Sequence, residues 1–208
     1  MQLSLRLKTL AGYYHQSQSI YDIGCDHGHL GLSFMDKDSV HGIYLVDPSI
    51  DVIRNLKKSI DSYITIRKVL EVLHTKGQDV VLCSGSKTVF IAGMGGKEIQ
   101  EILKSLLPQL TSEDRVVISP HRNILELREW LSTSEFSLIE ETSLHEDGQY
   151  YQILALCRAE MGAKVHPFGE GIWKSSVGEA YKTHQIGTFS IHQDPKARAY
   201  VAYLRETN

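Results

Sequence analysis

The chain has 208 residues, 42% of them apolar, and a formal net charge of -3, which suits one well-cored domain and is too short for two. The negative charge argues against a protein that coats nucleic acid non-specifically, because such binding depends on many basic side chains. The sequence lacks both a run of about 18 apolar residues and a signal peptide, which predicts a cytoplasmic protein with no membrane partner.

Short apolar runs alternate with segments of helical periodicity from about residue 20 to 132, a pattern typical of βαβ units. After an N-terminal helix over 3–14, the predicted strands are 19–24, 42–47, 71–75, 88–93 and 114–119. The predicted helices between them are 28–37, 49–62, 96–107 and 123–133. We therefore predict an α/β, Rossmann-like fold in which a mostly parallel sheet carries helices on both faces.

The pattern changes after residue 132. Two β-rich runs, 136–144 and 150–157, flank the segment 145–149 and predict a hairpin that gives the sheet an antiparallel last strand. Residues 159–208 show little periodicity until Asp194 and Pro195, which predict the start of a final helix that runs to about residue 205. We expect one domain over 1–160 and a short appendage over 161–208.

A glycine-rich segment, Asp-Ile-Gly-Cys-Asp-His-Gly-His-Leu-Gly at 22–31, follows the first strand. Gly24 and Gly28 let the backbone approach a ligand closely at the carboxyl edge of the sheet. Asp22 and Asp26 are placed to meet an ammonium group, and His27 is expected to shape the pocket by hydrogen bonding. A tight turn without a ligand is the alternative.

Two later strand ends complete this predicted cofactor site. Asp47 closes the second strand, where a carboxylate can accept hydrogen bonds from both ribose hydroxyls of a nucleoside. Gly77, Gln78 and Asp79 follow the third strand and are expected to hold adenine. A nicotinamide dinucleotide would need glycine in place of Asp26, whose charge would repel a pyrophosphate. The site therefore favours S-adenosylmethionine, which has no phosphate.

The segment Ile-Ala-Gly-Met-Gly-Gly at 91–96 is a candidate for the reacting end of the site. Its glycines would let a flat base approach the backbone, with Met94 as an apolar contact, although a tight turn that opens a helix has the same pattern. His121, Arg122 and Tyr151 are candidate nucleic-acid contacts, or else ordinary surface and sheet residues. We predict no metal site, because His27 and His29 lie too close in sequence to converge with Cys25 and Asp26 on one ion.

The chain resembles the bacterial tRNA (adenine(22)-N1)-methyltransferases over about residues 2–158. The motifs that carry this resemblance are Leu3-Ser4-x-Arg6-Leu7, Asp22-Ile23-Gly24-x-Asp26-His27, Ile91 to Gly96, Pro120, Leu127-Arg128-x-Trp130-Leu131, and Glu146-Asp147 before Tyr151. The resemblance implies a class I methyltransferase fold, S-adenosylmethionine as cofactor and a tRNA partner, with methyl transfer to N1 of an adenine.

Carried over by position, this resemblance assigns Asp22, Gly24, Asp26, His27 and 77–79 to the cofactor. It places Ala92, Gly93, Met94, Gly95 and Gly96 beside the reacting methyl group, where Asp26 or the carbonyls of 93–95 would stabilise the developing positive charge. The family's helical C-terminal extension is expected to be missing, apart from one terminal helix. A methyltransferase with another acceptor, or a non-catalytic RNA-binding module, are the competing hypotheses.

Overall fold

The computed structural model describes residues 2–60, 68–158 and 162–207. Its seven strands are β1 (Ser19–Ile23), β2 (Gly42–Asp47), β3 (Val69–His74), β4 (Lys87–Ala92), β5 (Arg115–Ser119), β6 (Phe136–Glu146) and β7 (Gln149–Arg158). They form one sheet in the order β3-β2-β1-β4-β5-β7-β6. All pairs are parallel except those of β7, which runs antiparallel between β5 and β6. The predicted fold class is confirmed.

The helices are α1 (Leu5–Gly12), α2 (His29–Leu32), α3 (Ile50–Ile60), α4 (Gly96–Leu106), α5 (Ile124–Thr133), α6 (Ser176–Phe189) and α7 (Pro195–Glu206). Neighbouring residues of a strand point to opposite faces, so the sheet builds two cores. Residues such as Ile43 and Phe90 pack with α1 to α3, whereas Val89 and Ile91 pack with α4 and α5. Within the described ranges, no helix has both the length and the apolar character needed to cross a bilayer.

Most predicted elements, including β3, lie within two residues of the observed ones, but two features differ. The helix predicted over 28–37 is a single turn, α2, followed by further turns. The hairpin loop is only Asp147-Gly148, both with positive φ, rather than the five residues 145–149. Asp-Gly is the pair that such a two-residue turn prefers. The end of the helix predicted over 49–62 lies outside the described residues.

The expectation of one C-terminal helix is wrong, because α6 precedes α7. Ser175 caps α6 by accepting a hydrogen bond from the Gly178 amide at 3.0 Å, and Asp194 caps α7 through the Ala197 amide at 2.9 Å. The two helices pack on each other and on α5 through a third apolar cluster around Trp173, Tyr181 and Tyr200. The division of the chain at residue 160 stays a prediction.

Candidate functional site

A cleft of about 770 Å³ opens at the carboxyl edge of the parallel strands, where α/β folds of this type bind ligands. Loops after β1, β2, β3, β4 and β5 supply its walls. It brings together most of the predicted site residues, namely Asp22, Gly24, Asp26, His27, Asp47, Gly77, Gln78, Ala92, Gly93, Met94 and His121. Residues spread over a hundred positions of sequence therefore meet at one edge of the sheet.

The loop after β1 is held against β2 by its own backbone. The amides of Gly24 and Cys25 both donate to the Val46 carbonyl, at 2.8 and 3.1 Å. Gly24 has φ +73°, and a Cβ there would lie 2.1 Å from the Met94 methyl carbon. Gly24 therefore permits both the left-handed turn and the contact between the loops after β1 and β4.

Gly28 serves packing rather than the cleft. A Cβ on this residue would approach the Leu56 and Leu45 side chains at 2.9 and 3.0 Å, and Gly28 does not line the cleft. Gly28 directly precedes α2, which has only one turn in place of the helix predicted over 28–37.

Asp22 is a buried carboxyl group at the floor of the cleft. Its Oδ2 accepts a hydrogen bond from the Gly31 amide at 2.9 Å. Burial, and to a smaller extent the nearby charge of Asp47, raises the pKa of Asp22 to about 7 despite that hydrogen bond. A cation in the cleft would favour the ionised form, so Asp22 is suited to an ammonium group.

Asp47 is the second buried carboxylate, at the end of β2. Its Oδ1 accepts from the Ser49 amide at 2.8 Å, and its Oδ2 lies 3.4 Å from the Asp26 amide. A carboxylate has about four acceptor positions, so hydrogen bonds from ligand hydroxyl groups remain available.

The loop after β3 is only partly as predicted. Gly77 and Gln78 line the cleft, and Gly77 approaches Ile23 and Ile102 so closely that a Cβ would lie 2.7 Å from each. Asp79 does not line the cleft and faces a separate cavity beside Tyr21. Of the three residues expected to hold adenine, two share the cleft.

The loop after β4 is joined to the segment that follows β5. The Met94 carbonyl accepts a hydrogen bond from the His121 amide at 2.9 Å, and the Gly96 amide donates to the Arg122 carbonyl at 2.8 Å. A Cβ at Gly96 would lie 2.4 Å from the Asn123 carbonyl oxygen, so this glycine permits close packing of two loops. Gly93 has φ +80° and open space where its Cβ would be. The open side of Gly93 is the part of this loop that a ligand can approach.

Gly95, Gly96, Arg122 and Tyr151 do not line the cleft itself. Tyr151 lies behind His121, with ring centroids 5.5 Å apart. Burial, together with the charges of Arg6 and Arg122, lowers the pKa of His121 and so favours its neutral imidazole.

Sequence reasoning gave no role to several residues that line the cleft, among them the charged or apolar side chains of Arg6, Leu7, Lys76 and Glu98. Arg6 lies on α1 with its Cζ 4.8 Å above the Tyr151 ring and with a hydrogen bond to His121 Nε2. The only sequence signal was its place in the motif Leu3-Ser4-x-Arg6-Leu7. That motif predicts a capped helix but does not show where the helix packs.

Comparisons with known proteins agree with this geometry. The profile of the methyltransferase domain family matches residues 3–154, so the chain belongs to that family. The tRNA (adenine(22)-N(1))-methyltransferase of Bacillus subtilis (strain 168) is 31% identical over 159 residues. That alignment covers 74% of this chain and 64% of the Bacillus enzyme, which is less than two thirds of its length.

Solved structures extend the likeness in fold to nearly the whole chain. The M. capricolum TrmK complex with S-adenosylhomocysteine has a TM-score of 0.80 at 18% identity, covering 99% of this chain and 97% of that one. The Bacillus subtilis M1A22 tRNA methyltransferase TrmK has a TM-score of 0.73 at 21% identity, covering 99% and 95%. The fold of these enzymes therefore includes a counterpart of the C-terminal segment.

Proposed function

We propose that this chain binds S-adenosylmethionine in the cleft and transfers its methyl group to N1 of an adenine in tRNA. The observation that carries the proposal is the pair of buried carboxylates at the ends of β1 and β2, Asp22 and Asp47, in one cleft with the open turn at Gly93. The relatives named for this reaction support the choice of acceptor.

The polar groups of the cleft fit S-adenosylmethionine. Asp22 would hold the ammonium group of the methionine part, Asp47 the ribose hydroxyls, and the segment Gly77 to Gln78 the adenine ring. The two carboxylates would repel the phosphates of a dinucleotide, whereas S-adenosylmethionine carries none. When bound, the cofactor supplies a methyl group on a positively charged sulfur, which is the electrophile of the reaction.

The acceptor needs positioning more than proton removal. N1 of adenine has a free lone pair, so the chain must bring this atom into line about 3 to 3.5 Å from the methyl carbon. Methylation leaves positive charge on the ring, which the carbonyls of 93–95 or the exposed Asp26 carboxylate would stabilise. Because N1 belongs to the Watson–Crick edge, the base must be unpaired or turned out of its helix first.

Incubation of the protein with tritiated S-adenosylmethionine and total tRNA, followed by digestion to nucleosides, tests the proposal. We expect the label to appear in 1-methyladenosine. Label in a different nucleoside would show that N1 of adenine is not the acceptor. If the protein binds the cofactor but the tRNA carries no label, the tRNA reaction is rejected.

A further inference from the structure

Two arginines lie on either side of His121 at the rim of the cleft. Arg6 lines the cleft, whereas Arg122 lines a shallower groove of about 380 Å³, and His121 lines both. In the described part of the chain, neither arginine has a carboxylate within ion-pair distance, in contrast to Arg54 and Arg128, which pair with Asp51 and Glu141. Two guanidinium groups without acidic partners therefore border the place where an acceptor would enter.

Arg6 is held in position by three contacts from distant parts of the sequence. The Glu146 carboxylate accepts the backbone amides of Leu5 and Arg6, the latter at 3.3 and 3.4 Å. The guanidinium group stacks over Tyr151 and donates one hydrogen bond to His121. An arginine has five N–H donors, so four remain for a ligand. This preorganisation reduces the entropy lost when the side chain binds an anion.

The groove beyond Arg122 is suited to the continuation of a nucleic-acid strand. It lies between the hairpin turn and α6 and contains Tyr150, Tyr181 and His184. Tyr150 stacks on Tyr181 with 4.9 Å between ring centroids, and His184 lies 5.3 Å from Tyr150. Tyr181 is buried, whereas Tyr150 is half-buried and His184 is exposed. Aromatic rings that reach the surface can stack on unpaired bases without strong sequence preference.

We propose that Arg6 and Arg122 bind the phosphates on the two sides of the target nucleotide. The target base then enters the cleft beside Met94, and the strand continues along the groove past Tyr150 and His184. Guanidinium groups suit this role because their planar fork matches phosphate geometry. The inference rests on the proposed function, since it takes an RNA strand as the acceptor.

The test is tRNA binding at several salt concentrations by the variants Arg6→Gln and Arg122→Gln. Each should bind tRNA about tenfold more weakly, as expected for loss of a charged hydrogen bond. Each should also reduce the slope of log affinity against log salt by about one, as expected for one lost phosphate contact. Affinity for S-adenosylmethionine, measured by calorimetry, should stay within about twofold of the wild type, which is below the effect of one hydrogen bond.

Arg54→Gln is the matched control, because Arg54 is an exposed arginine on α3 outside both the cleft and the groove. Arg6→Lys keeps the positive charge but lacks the planar, two-pronged guanidinium group. This variant should therefore keep the wild-type salt slope and bind tRNA more weakly than the wild type. Unchanged salt slopes for Arg6→Gln and Arg122→Gln would overturn the proposal. Weaker cofactor binding by Arg6→Gln with an unchanged slope would also overturn it and would assign Arg6 to the cofactor. A wild type that binds tRNA without methylating it would reject the proposed function. The salt slopes of the two variants would then still show whether Arg6 and Arg122 contact phosphates.

Discussion

The buried carboxyl group of Asp22 affects both the stability of the fold and the proposed binding of an ammonium group. It is 5% exposed, and its pKa is raised to about 7 from 3.8 by burial and by Asp47. A buried carboxyl group with a raised pKa weakens the ligand-free fold when it ionises. Such a group is retained where an incoming cation can use the charge, which is the role proposed for it here.

Asp22→Asn should therefore change how stability depends on pH. The wild-type folded state binds the Asp22 proton more tightly than the unfolded chain, so this carboxyl group lowers stability as pH rises from about 4 to 7. The variant lacks this decline, worth about 1.4 kcal/mol per unit of pKa difference. Urea unfolding at pH 4.5 and at pH 7.5 measures the difference. Asp51→Asn, at an exposed position of α3, is the control, and parallel pH profiles for Asp22→Asn and the wild type would contradict the assignment.

Asp47→Ala should mainly weaken cofactor binding. Removal of the carboxylate deletes the acceptor proposed for the ribose hydroxyls and should lower affinity for S-adenosylmethionine about tenfold or more, as expected for loss of hydrogen bonds to a charged group. Calorimetry gives the affinity directly, with Asp51→Ala as the matched control. An Asp47→Ala protein that folds and binds the cofactor with wild-type affinity would show that the ribose binds elsewhere.

The residues of the cleft differ in how well sequence could predict their placement. Asp22 and Asp47 end buried parallel strands, and such ends share one edge of a sheet, so their meeting follows from local pattern. Arg6 reaches the same cleft through contacts with Glu146 and Tyr151, about 140 residues away. No local periodicity carries that information.

At the scale of elements, α1 depends on the hairpin of β6 and β7 for its position. Glu146 accepts the amides of the first two residues of α1, next to the Ser4 cap, whose hydroxyl lies 3.3 Å from the Leu7 amide. A carboxylate at this end of a helix satisfies unpaired N–H groups and opposes the positive end of the dipole.

Glu146→Ala should loosen α1. We expect a loss of about 1 kcal/mol of stability, as for other helix caps, and faster hydrogen exchange at the amides of α1. Glu146→Gln keeps one acceptor oxygen, so its stability and its exchange rates in α1 should lie between those of the wild type and Glu146→Ala. Glu113→Ala removes an exposed acid elsewhere and serves as the control. Exchange rates in α1 equal to the wild type would mean that Glu146 does not hold this helix.

Helix α6 shows where pattern reading failed. Only Gly178 and Tyr181 of its 14 residues are buried, so no apolar stripe marks it as a helix. Gly178, which lowers helix propensity, is there because a Cβ would lie 2.2 Å from the Ile172 carbonyl oxygen. By contrast, α4 and α7 carry regular buried positions, and both were predicted.

For the molecule as a whole, a buried ionic network joins the sheet to the C-terminal segment. Arg128, fully buried on α5, donates to Glu141 at 2.6 Å, to Gln152 at 2.8 Å and to the His166 carbonyl at 3.0 Å. Glu141 also accepts the amides of Glu170 and Gly171, each at 2.7 Å. Burial alone would raise the pKa of Glu141, but Arg128 and these amides outweigh it and lower that pKa. Arg128, in the motif Leu127-Arg128-x-Trp130-Leu131, therefore stabilises the fold rather than lining the cleft.

Arg128→Met should cost about 3 to 5 kcal/mol of stability at neutral pH, because Glu141 would stay buried without its partner. The Glu141 contribution is present above its unfolded pKa and is lost as pH falls through its lowered folded pKa, so the deficit should shrink in acid. Chemical denaturation of the variant and the wild type, at neutral pH and in acid, measures both stability differences. Lys104→Met breaks the exposed pair with Glu101 and should cost less than about 1 kcal/mol. Equal losses in the two variants would refute the network.

The reaction proposed for this chain is methyl transfer from S-adenosylmethionine to N1 of an adenine in tRNA. Primer extension tests it directly, since a methyl group at N1 blocks Watson–Crick pairing and stops reverse transcriptase. Position 22 is the site named for the Bacillus subtilis relative, so it is the first site to test. After incubation with S-adenosylmethionine, a tRNA transcript with adenine at position 22 should give a stop there, and the same transcript with guanine at 22 should give none. A full-length product from the adenine transcript, under conditions in which the protein binds the cofactor and the RNA, would contradict the claim.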